Sequence, residues 1–258
     1  MQLQLCFNCR SDLLERGPEL KTRTCGRRER KGIALNKVIL FGDGKIAEEV
    51  YFYFTHDSSF EVVAFCVDRD YRTKDTLFDL PVIDFEKVVE TYPPGEYRMF
   101  VALGYHQLNS LRERKFHEAK AKGYELVSYV CSKAANFGNV VIGENSLVLE
   151  NATIQPLARI GDNVFVWSGN HIGHHAEIKD HVYVAGHVTV GGNASIGANC
   201  FLGINSTIGH NVTLGTKCVV GAGTLIVRSA GDGSVFIQPG TPKFRLDSEH
   251  FMKISGLE

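Results

Sequence analysis

The sequence contains no apolar run near the roughly 18 residues that a membrane-spanning helix needs, so a helical membrane protein is excluded. Neither sign of charge dominates, and a formal net charge of -1 gives no reason to expect a nucleic-acid or membrane-surface partner. Proline is scarce, 7 residues against 26 glycines, which suits many tight turns and no Pro-rich linker. A nucleophile-elbow motif is missing, so a Ser-His-Asp hydrolase has no support. The seven cysteines (6, 9, 25, 66, 131, 200 and 218) are odd in number and scattered, several of them in apolar runs. Reduced, buried thiols in a cytoplasmic protein fit them better than a disulfide framework.

Residues 1–35 read differently from the rest. "CFNC" is a CxxC and "CGRRERKG" a basic cluster, but only Cys25 follows as a third thiol and no histidine lies near. A zinc knuckle therefore lacks its fourth ligand. The stretch also has no secretory apolar core, and a poorly ordered basic extension is expected.

What is present is a repeat. From Ile142 to Ile226 an aliphatic residue recurs at every sixth position without a gap. Four residues after nearly every one stands a small or β-branched residue, as at Ser146, Ala152, Ala158, Val164, Ala176, Ala194, Cys200 and Thr224; Asn170 is the exception. A period of six is neither helical nor a plain alternating strand. It is the pattern of a parallel β-helix, in which the aliphatic and the small residue both point into a narrow prism. Gly and Asn in "IGEN", "IGDN", "IGAN" and "IGHN" suit the tight corners. At three hexads per coil the array predicts about five coils, above the roughly three repeats that stability needs.

Upstream, the pattern is α/β. "KVILFG" and "EVVAFCVD" read as buried strands, with the helix "DGKIAEEVYFYF" between them; "RMFVALG" is a later strand. "QLNSLRERKFHEAKAKG" reads as a charged amphipathic helix ending at Gly123, and "ELVSYV" as a last strand before the repeats. Alternating strands and helices predict a parallel sheet. The expected segments are the extension 1–35, a Rossmann-like domain 36–131, a left-handed β-helix 132–229 and a tail 230–258.

"GDGKIA", Gly42 to Ala47, follows a strand and opens a helix. In that setting glycines let backbone N–H groups approach a phosphate. A tight strand–helix turn with no ligand would read the same way. Asp68 ends the next strand, where a carboxylate can meet a ribose or a base. About ninety residues supply one mononucleotide half, too little for a full dinucleotide fold. A nucleotide diphosphate joined to a sugar suits that size better than a dehydrogenase cofactor.

This combination resembles the bacterial sugar acyltransferases that include the bacillosamine-pathway and perosamine N-acetyltransferases and the sialic-acid O-acetyltransferase group. "ILFGDGKIAEEV", "CVDRD", "VALGYHQLNSLRER", "NHIGHHAEIKDHV", "NCFLGINSTIG" and the closing "GTPKFR" carry the likeness, from about Lys37 to Arg245. The resemblance implies a homotrimer with a nucleotide-linked sugar in the N-terminal domain and acyl-CoA, here acetyl-CoA, between adjacent β-helices. It implies N-acylation of an amino-deoxy-sugar, with sugar O-acetylation as the alternative.

By the same resemblance His174, in "IGHH", matches the catalytic base. His175 stands where the family usually has an acidic residue, and Tyr183 where it often has a histidine near the thioester. Gly42, Gly44, Lys45, Asp68, Arg69 and Gly104 match nucleotide-sugar positions. Gly192, Ile204 and Gly221 match the acyl-CoA groove. Histidine suits the role because a nucleophile attacking a thioester must lose a proton, and imidazole titrates near the working pH.

Five histidines fall between His171 and His187. A metal-dependent β-helix enzyme is the rival: β-helix carbonic anhydrases hold zinc with histidines, one pair spaced H-x4-H, and no pair here has that spacing. No metal site is expected. A non-catalytic oligomerisation module is the remaining alternative, since hexads alone establish only a scaffold.

Overall fold

The computed structural model describes residues 36–256. Residues 1–35, with the expected extension and Cys6, Cys9 and Cys25, lie outside the described residues. Among the described residues no helix is long and apolar enough to cross a membrane. Cys66, Cys131, Cys200 and Cys218 are all free and buried.

The α/β part is built as its hydrophobic runs require. Strands β1 (Lys37–Phe41), β2 (Glu61–Val67), β3 (Thr76–Leu77), β4 (Leu80–Asp84) and β5 (Arg98–Val101) form a sheet in the order β3-β4-β2-β1-β5. It is parallel except for the short β3–β4 hairpin. Runs such as Val38–Leu40 and Ala64–Cys66 are buried on both faces, as a parallel sheet covered on both sides demands. Helix α1 (Lys45–Asp57) follows β1, a short α2 (Val88–Thr91) precedes β5, and α3 (Ser110–Ala121) follows β5. The strand order turns between β1 and β5, and ligands of open α/β sheets sit outside the carboxyl ends of strands at such a point.

The second part is the left-handed parallel β-helix, a three-sided prism of two-residue strands. Its first face stacks Tyr129–Val130, Leu147–Val148, Phe165–Val166, Tyr183–Val184, Phe201–Leu202, Val219–Val220 and Val235–Phe236. The second face runs from Ala135–Asn136 through His171–Ile172 to Leu225–Ile226, and the third from Val141–Ile142 through Glu177–Ile178 to Thr213–Leu214. Each strand pairs in parallel with the one eighteen residues on, as Phe165 with Tyr183. The aliphatic and small positions of the hexads fill one continuous buried core. Asn170, the polar exception, is also buried; its side chain accepts from the Val188 N–H and donates to the Trp167 carbonyl.

Every corner uses one left-handed residue. From Asn145 to Gly223 a positive φ recurs at every sixth position, at Asn in half of them and also at His175 (58°), His181 (64°) and His187 (58°). Asn, Asp and His tolerate that region better than most side chains. Three of the clustered histidines are thus corner residues. They occupy three different corners, because His171 to His187 spans seventeen residues and one coil takes eighteen.

Both ends of the β-helix extend past the repeat. Leu126 bridges to Met99 of β5, while Tyr129–Val130 already belongs to the first coil. The expected strand "ELVSYV" is therefore shared between the two parts. At the other end Val235–Phe236 pairs with Val219–Val220, sixteen residues back. Two residues fewer than a full coil break the hexad count, so the repeat ends at Ile226 while the coil continues into the expected tail. Beyond it the exposed helix α4 (Ser248–Ser255) closes the described chain.

The outward residues of the first face are large and apolar: Tyr129, Leu147, Phe165, Tyr183 and Phe201. The α/β part packs on this column. The other half of the junction is polar and runs along the corner column Asn145, Asn163, His181 and Asn199. The Val101 N–H donates to Asn145 Oδ1 at 2.7 Å, Asn145 Nδ2 to Asn163 Oδ1 at 2.8 Å, and Asn163 Nδ2 to His181 Nδ1 at 2.9 Å. A backbone donor at one end fixes the direction of the whole chain. His181 Nδ1 must accept, so its proton sits on Nε2, 3.7 Å from Glu113 Oε1. Burial holds the His181 pKa below the ordinary 6.5, opposed by Glu113 and Asp180 and assisted by His117 and Arg112.

A lowered histidine pKa means that the unfolded chain binds more protons as pH falls. The contribution of His181 to stability is complete above about pH 6.5 and is lost as pH drops from there toward its folded value. His181→Asn keeps a left-handed-tolerant residue with one acceptor and one donor. Its unfolding free energy, followed by chemical denaturation between pH 5 and 8, is expected to fall less toward acid than that of the wild type. Parallel curves would refute this role.

Candidate active site

Two places collect chemistry-bearing residues. The first is a cleft of about 390 Å³ at the carboxyl ends of β1, β2 and β5. Gly42, Gly44 and Asp68 line it together, alongside Tyr71, His106 and Lys115. Gly42 has φ +122°, and a Cβ there would stand 2.9 Å from the Ala102 carbonyl oxygen, so only glycine fits. Gly44 differs: nothing lies within 4 Å of a Cβ built on it. It is the N-cap of α1 and makes no side-chain cap bond, so the first-turn N–H groups and the helix dipole remain free for an anion.

Not every expected residue joins this cleft. Lys45 is exposed outside its lining, and Arg69 sits in a neighbouring hollow with Arg72 and Lys74. Gly104 does not line the cleft either; its carbonyl accepts from Arg112. Lys115 was missed. It lies in a helix that reads as a charged surface helix, yet it is buried and bonds Asp68 Oδ1 and Glu118 Oε2 at 2.6 Å each. Asp68 therefore faces the cleft with one oxygen already paired.

The second place is the corner between the second and third faces of the β-helix. His174 and His175 are both exposed there. The His174 N–H donates to Gln155 Oε1 at 2.8 Å. Its ring lies on Gly192: a Cβ on that glycine would come within 2.7 Å of His174 Nε2. His210, two coils on in the same column, faces the His174 ring with centroids 6.0 Å apart. The Nδ1 atoms of His174 and His175 are 3.2 Å apart, close enough to share one proton. When His174 Nδ1 carries it, His174 Nε2 is left with a free lone pair and can act as a base.

The remaining expected acyl-CoA positions divide. Gly192 sits under His174, but Ile204 and Gly221 lie at the corner between the first and second faces, across the second face from it. Tyr183 is elsewhere. Nine residues after His174 is half a coil, so it falls on the first face, 6% exposed, packed between Phe165, Phe201 and Tyr105 of the α/β part. Within one chain it has no access to the His174 corner.

Glu113, His117 and His181 are one grouping of metal-ligand type among the described residues. The hydrogen-bond direction set from Val101 puts a proton on His181 Nε2, the nitrogen that faces Glu113. In this network that nitrogen has no lone pair to give a metal.

Comparison with known proteins bears on the repeat and on the fold. The chain matches the model of the bacterial transferase hexapeptide (six repeats) family over residues 157–192 and 193–228. By repeat and by fold this part of the chain is similar to the hexapeptide transferases. The chain's fold is similar to perosamine N-acetyltransferase from Caulobacter crescentus, solved as a histidine-to-asparagine variant with CoA and GDP-perosamine. There the TM-score is 0.69 at 25% identity, covering 79% of this chain and 94% of that one. The acetyltransferase domain of PglB from Neisseria gonorrhoeae, in complex with acetyl coenzyme A, has the same fold: TM-score 0.69, 22% identity, 78% of this chain and 96% of that one. No curated protein matches the chain by sequence.

Proposed function

We propose that this protein is a hexapeptide-repeat acyltransferase that moves the acetyl group of acetyl-CoA to the amino group of a nucleotide-linked amino-deoxy-sugar, with His174 as general base. The observation that carries the reading is His174: an exposed imidazole seated on a glycine, with its Nδ1 paired to a neighbour and its Nε2 free. The structure solved with both CoA and GDP-perosamine supports the choice of substrates. The sugar amine attacks the thioester carbonyl carbon, the C–S bond breaks, and CoA leaves as the thiolate. The proton lost by the amine passes to His174 Nε2 and from there to the thiolate sulfur. The nucleotide diphosphate rests on the Gly42–Gly44 turn and the first turn of α1. Three chains assemble, so that a neighbouring β-helix completes the acyl-CoA groove.

The test is release of free CoA thiol from acetyl-CoA when UDP-, dTDP- and GDP-linked 4-amino-sugars are supplied in turn, with the product then treated with mild alkali. A stable amide supports the reading; a labile ester moves it to sugar O-acetylation. No thiol release with any donor–acceptor pair would refute it. Gly44→Val fills space that the protein leaves empty. It is expected to fold normally and to raise the KM for the sugar nucleotide by about tenfold or more, each 1.4 kcal/mol of lost contact being one factor of ten. The KM for acetyl-CoA is expected not to change. An unaltered sugar-nucleotide KM would remove the turn from the site.

A further inference from the structure

The loop between β5 and α3 is strained, and the β-helix holds the strain. Gln107, Leu108 and Asn109 have φ of 53°, 52° and 66°, a turn of left-handed backbone with no glycine in it. L-residues enter that region singly, and a run of them persists only where the surroundings over-determine it. The fixing contacts can be named. Asn109 is fully buried, its Nδ2 donating to the carbonyls of Asn199 (3.3 Å) and Cys200 (3.1 Å) in the β-helix. Its Oδ1 accepts from Arg112 Nη1 at 3.2 Å, and the same Nη1 donates to the Gly104 carbonyl at 3.1 Å. Arg112 Nη2 donates to the His181 carbonyl at 3.1 Å, in the coil that also carries His174.

We infer that Asn109 and Arg112 are positioning residues: through the left-handed turn they hold His106 and Gln107 against the ligand of the cleft, in register with the coil that bears His174. The inference rests on the nucleotide-sugar reading above. Neither Asn109 nor Arg112 lines the cleft, whereas His106 and Gln107 do. The anchor therefore acts through the backbone between them. A connection that only had to join β5 to α3 would not need three consecutive left-handed residues. Without the anchor the turn relaxes toward ordinary backbone and carries His106 and Gln107 out of the cleft.

The experiment measures UDP, dTDP and GDP binding by calorimetry, and both KM values with acetyl-CoA and the preferred sugar nucleotide, in the wild type, Asn109→Ala and Asn109→Gly. Glycine keeps the left-handed conformation open without strain, so Asn109→Gly carries the test if the alanine variant does not fold. Val88→Ala, in the α/β core and not lining the cleft, serves as a control for general destabilisation. Either Asn109 variant is expected to raise the nucleotide Kd and the sugar-nucleotide KM by about tenfold or more, displacements of an ångström being worth up to about 10²-fold. The acetyl-CoA KM stays at the wild-type value, and Val88→Ala, with a comparable fall in Tm, leaves both KM values unchanged. A wild-type nucleotide Kd in Asn109→Gly, or a rise of equal size in Val88→Ala, overturns the positioning role alone. If the wild type binds none of the three nucleotides, the nucleotide reading falls and this inference with it.

Discussion

His174→Ala is expected to lower kcat by about 10²–10⁴-fold, the contribution of one positioned general base, with acetyl-CoA binding retained. The residue is exposed at a corner and supports no core, so its loss leaves the coil intact. His175 enters through its Nδ1, 3.2 Å from that of His174. A neutral His175 can accept the hydrogen bond from the His174 Nδ1–H, the tautomer that leaves Nε2 free, but it stabilises the imidazolium formed in the reaction less than a carboxylate does. His175→Ala is therefore expected to reduce kcat too, and His175→Asp, which tolerates the left-handed φ of 58° and restores an acceptor, to reduce it less. The double alanine variant is expected to be little worse than His174→Ala, because residues that act as a unit are not additive. Steady-state kinetics with the preferred sugar nucleotide make the measurement. Near wild-type kcat in a folded His174→Ala would end the general-base assignment.

The corner histidines show where a sequence reading succeeds and where it stops. The hexads were plain because each inward aliphatic answers to a local rule, the narrow prism interior. The register that places His175, His181 and His187 at left-handed corners was also there, since they fall in step with the asparagines of "IGEN" and "IGDN". Histidine invites a chemical reading first, and the phase of the repeat adds a conformational one. A second signal runs at the period of the coil: Tyr129, Leu147, Phe165, Tyr183 and Phe201 stand eighteen apart and mark the face that the α/β part covers. That period explains why Tyr183 is packing and not a thioester contact within its own chain.

Other features were not legible for a physical reason. Gly42, Gly44 and Asp68 come together because a glycine turn and a strand end are local features of a common fold. The burial of Arg112 and Lys115 depends on what α3 packs against, which no residue of α3 encodes alone. The hydrogen-bond direction that sets the His181 tautomer begins at a backbone N–H eighty residues earlier in the chain. Such partners are determined by tertiary contact, and composition carries no trace of them.

Arg112→Leu is expected to destabilise the protein by about 3–5 kcal/mol, the loss from several buried acceptors left without a donor less the apolar surface that leucine buries. Arg112 is fully buried, with its guanidinium 4.4 Å from the centre of the Phe165 ring. Among the described residues no carboxylate bonds it. Carbonyl oxygens do: Gly104, Asn163, His181 and, more weakly, Val182. The Val182 oxygen also accepts from the Phe165 N–H, but those of Gly104, Asn163 and His181 have no other donor among the described residues. Leucine would leave these three acceptors unpaired at the junction, at about 1–3 kcal/mol for each buried one, offset in part by the apolar surface it buries. Arg112→Lys keeps the charge but cannot reach carbonyls on two sides with a planar fork, so an intermediate loss is expected. The contrast lies on the same helix: Lys120 pairs with Glu144 at the surface, and Lys120→Ala should cost no more than about 1 kcal/mol. Chemical denaturation of the three variants tests the ranking. An Arg112→Leu loss no larger than that of Lys120→Ala would mean that the apolar column from Tyr129 to Phe201 holds the two parts together without the arginine.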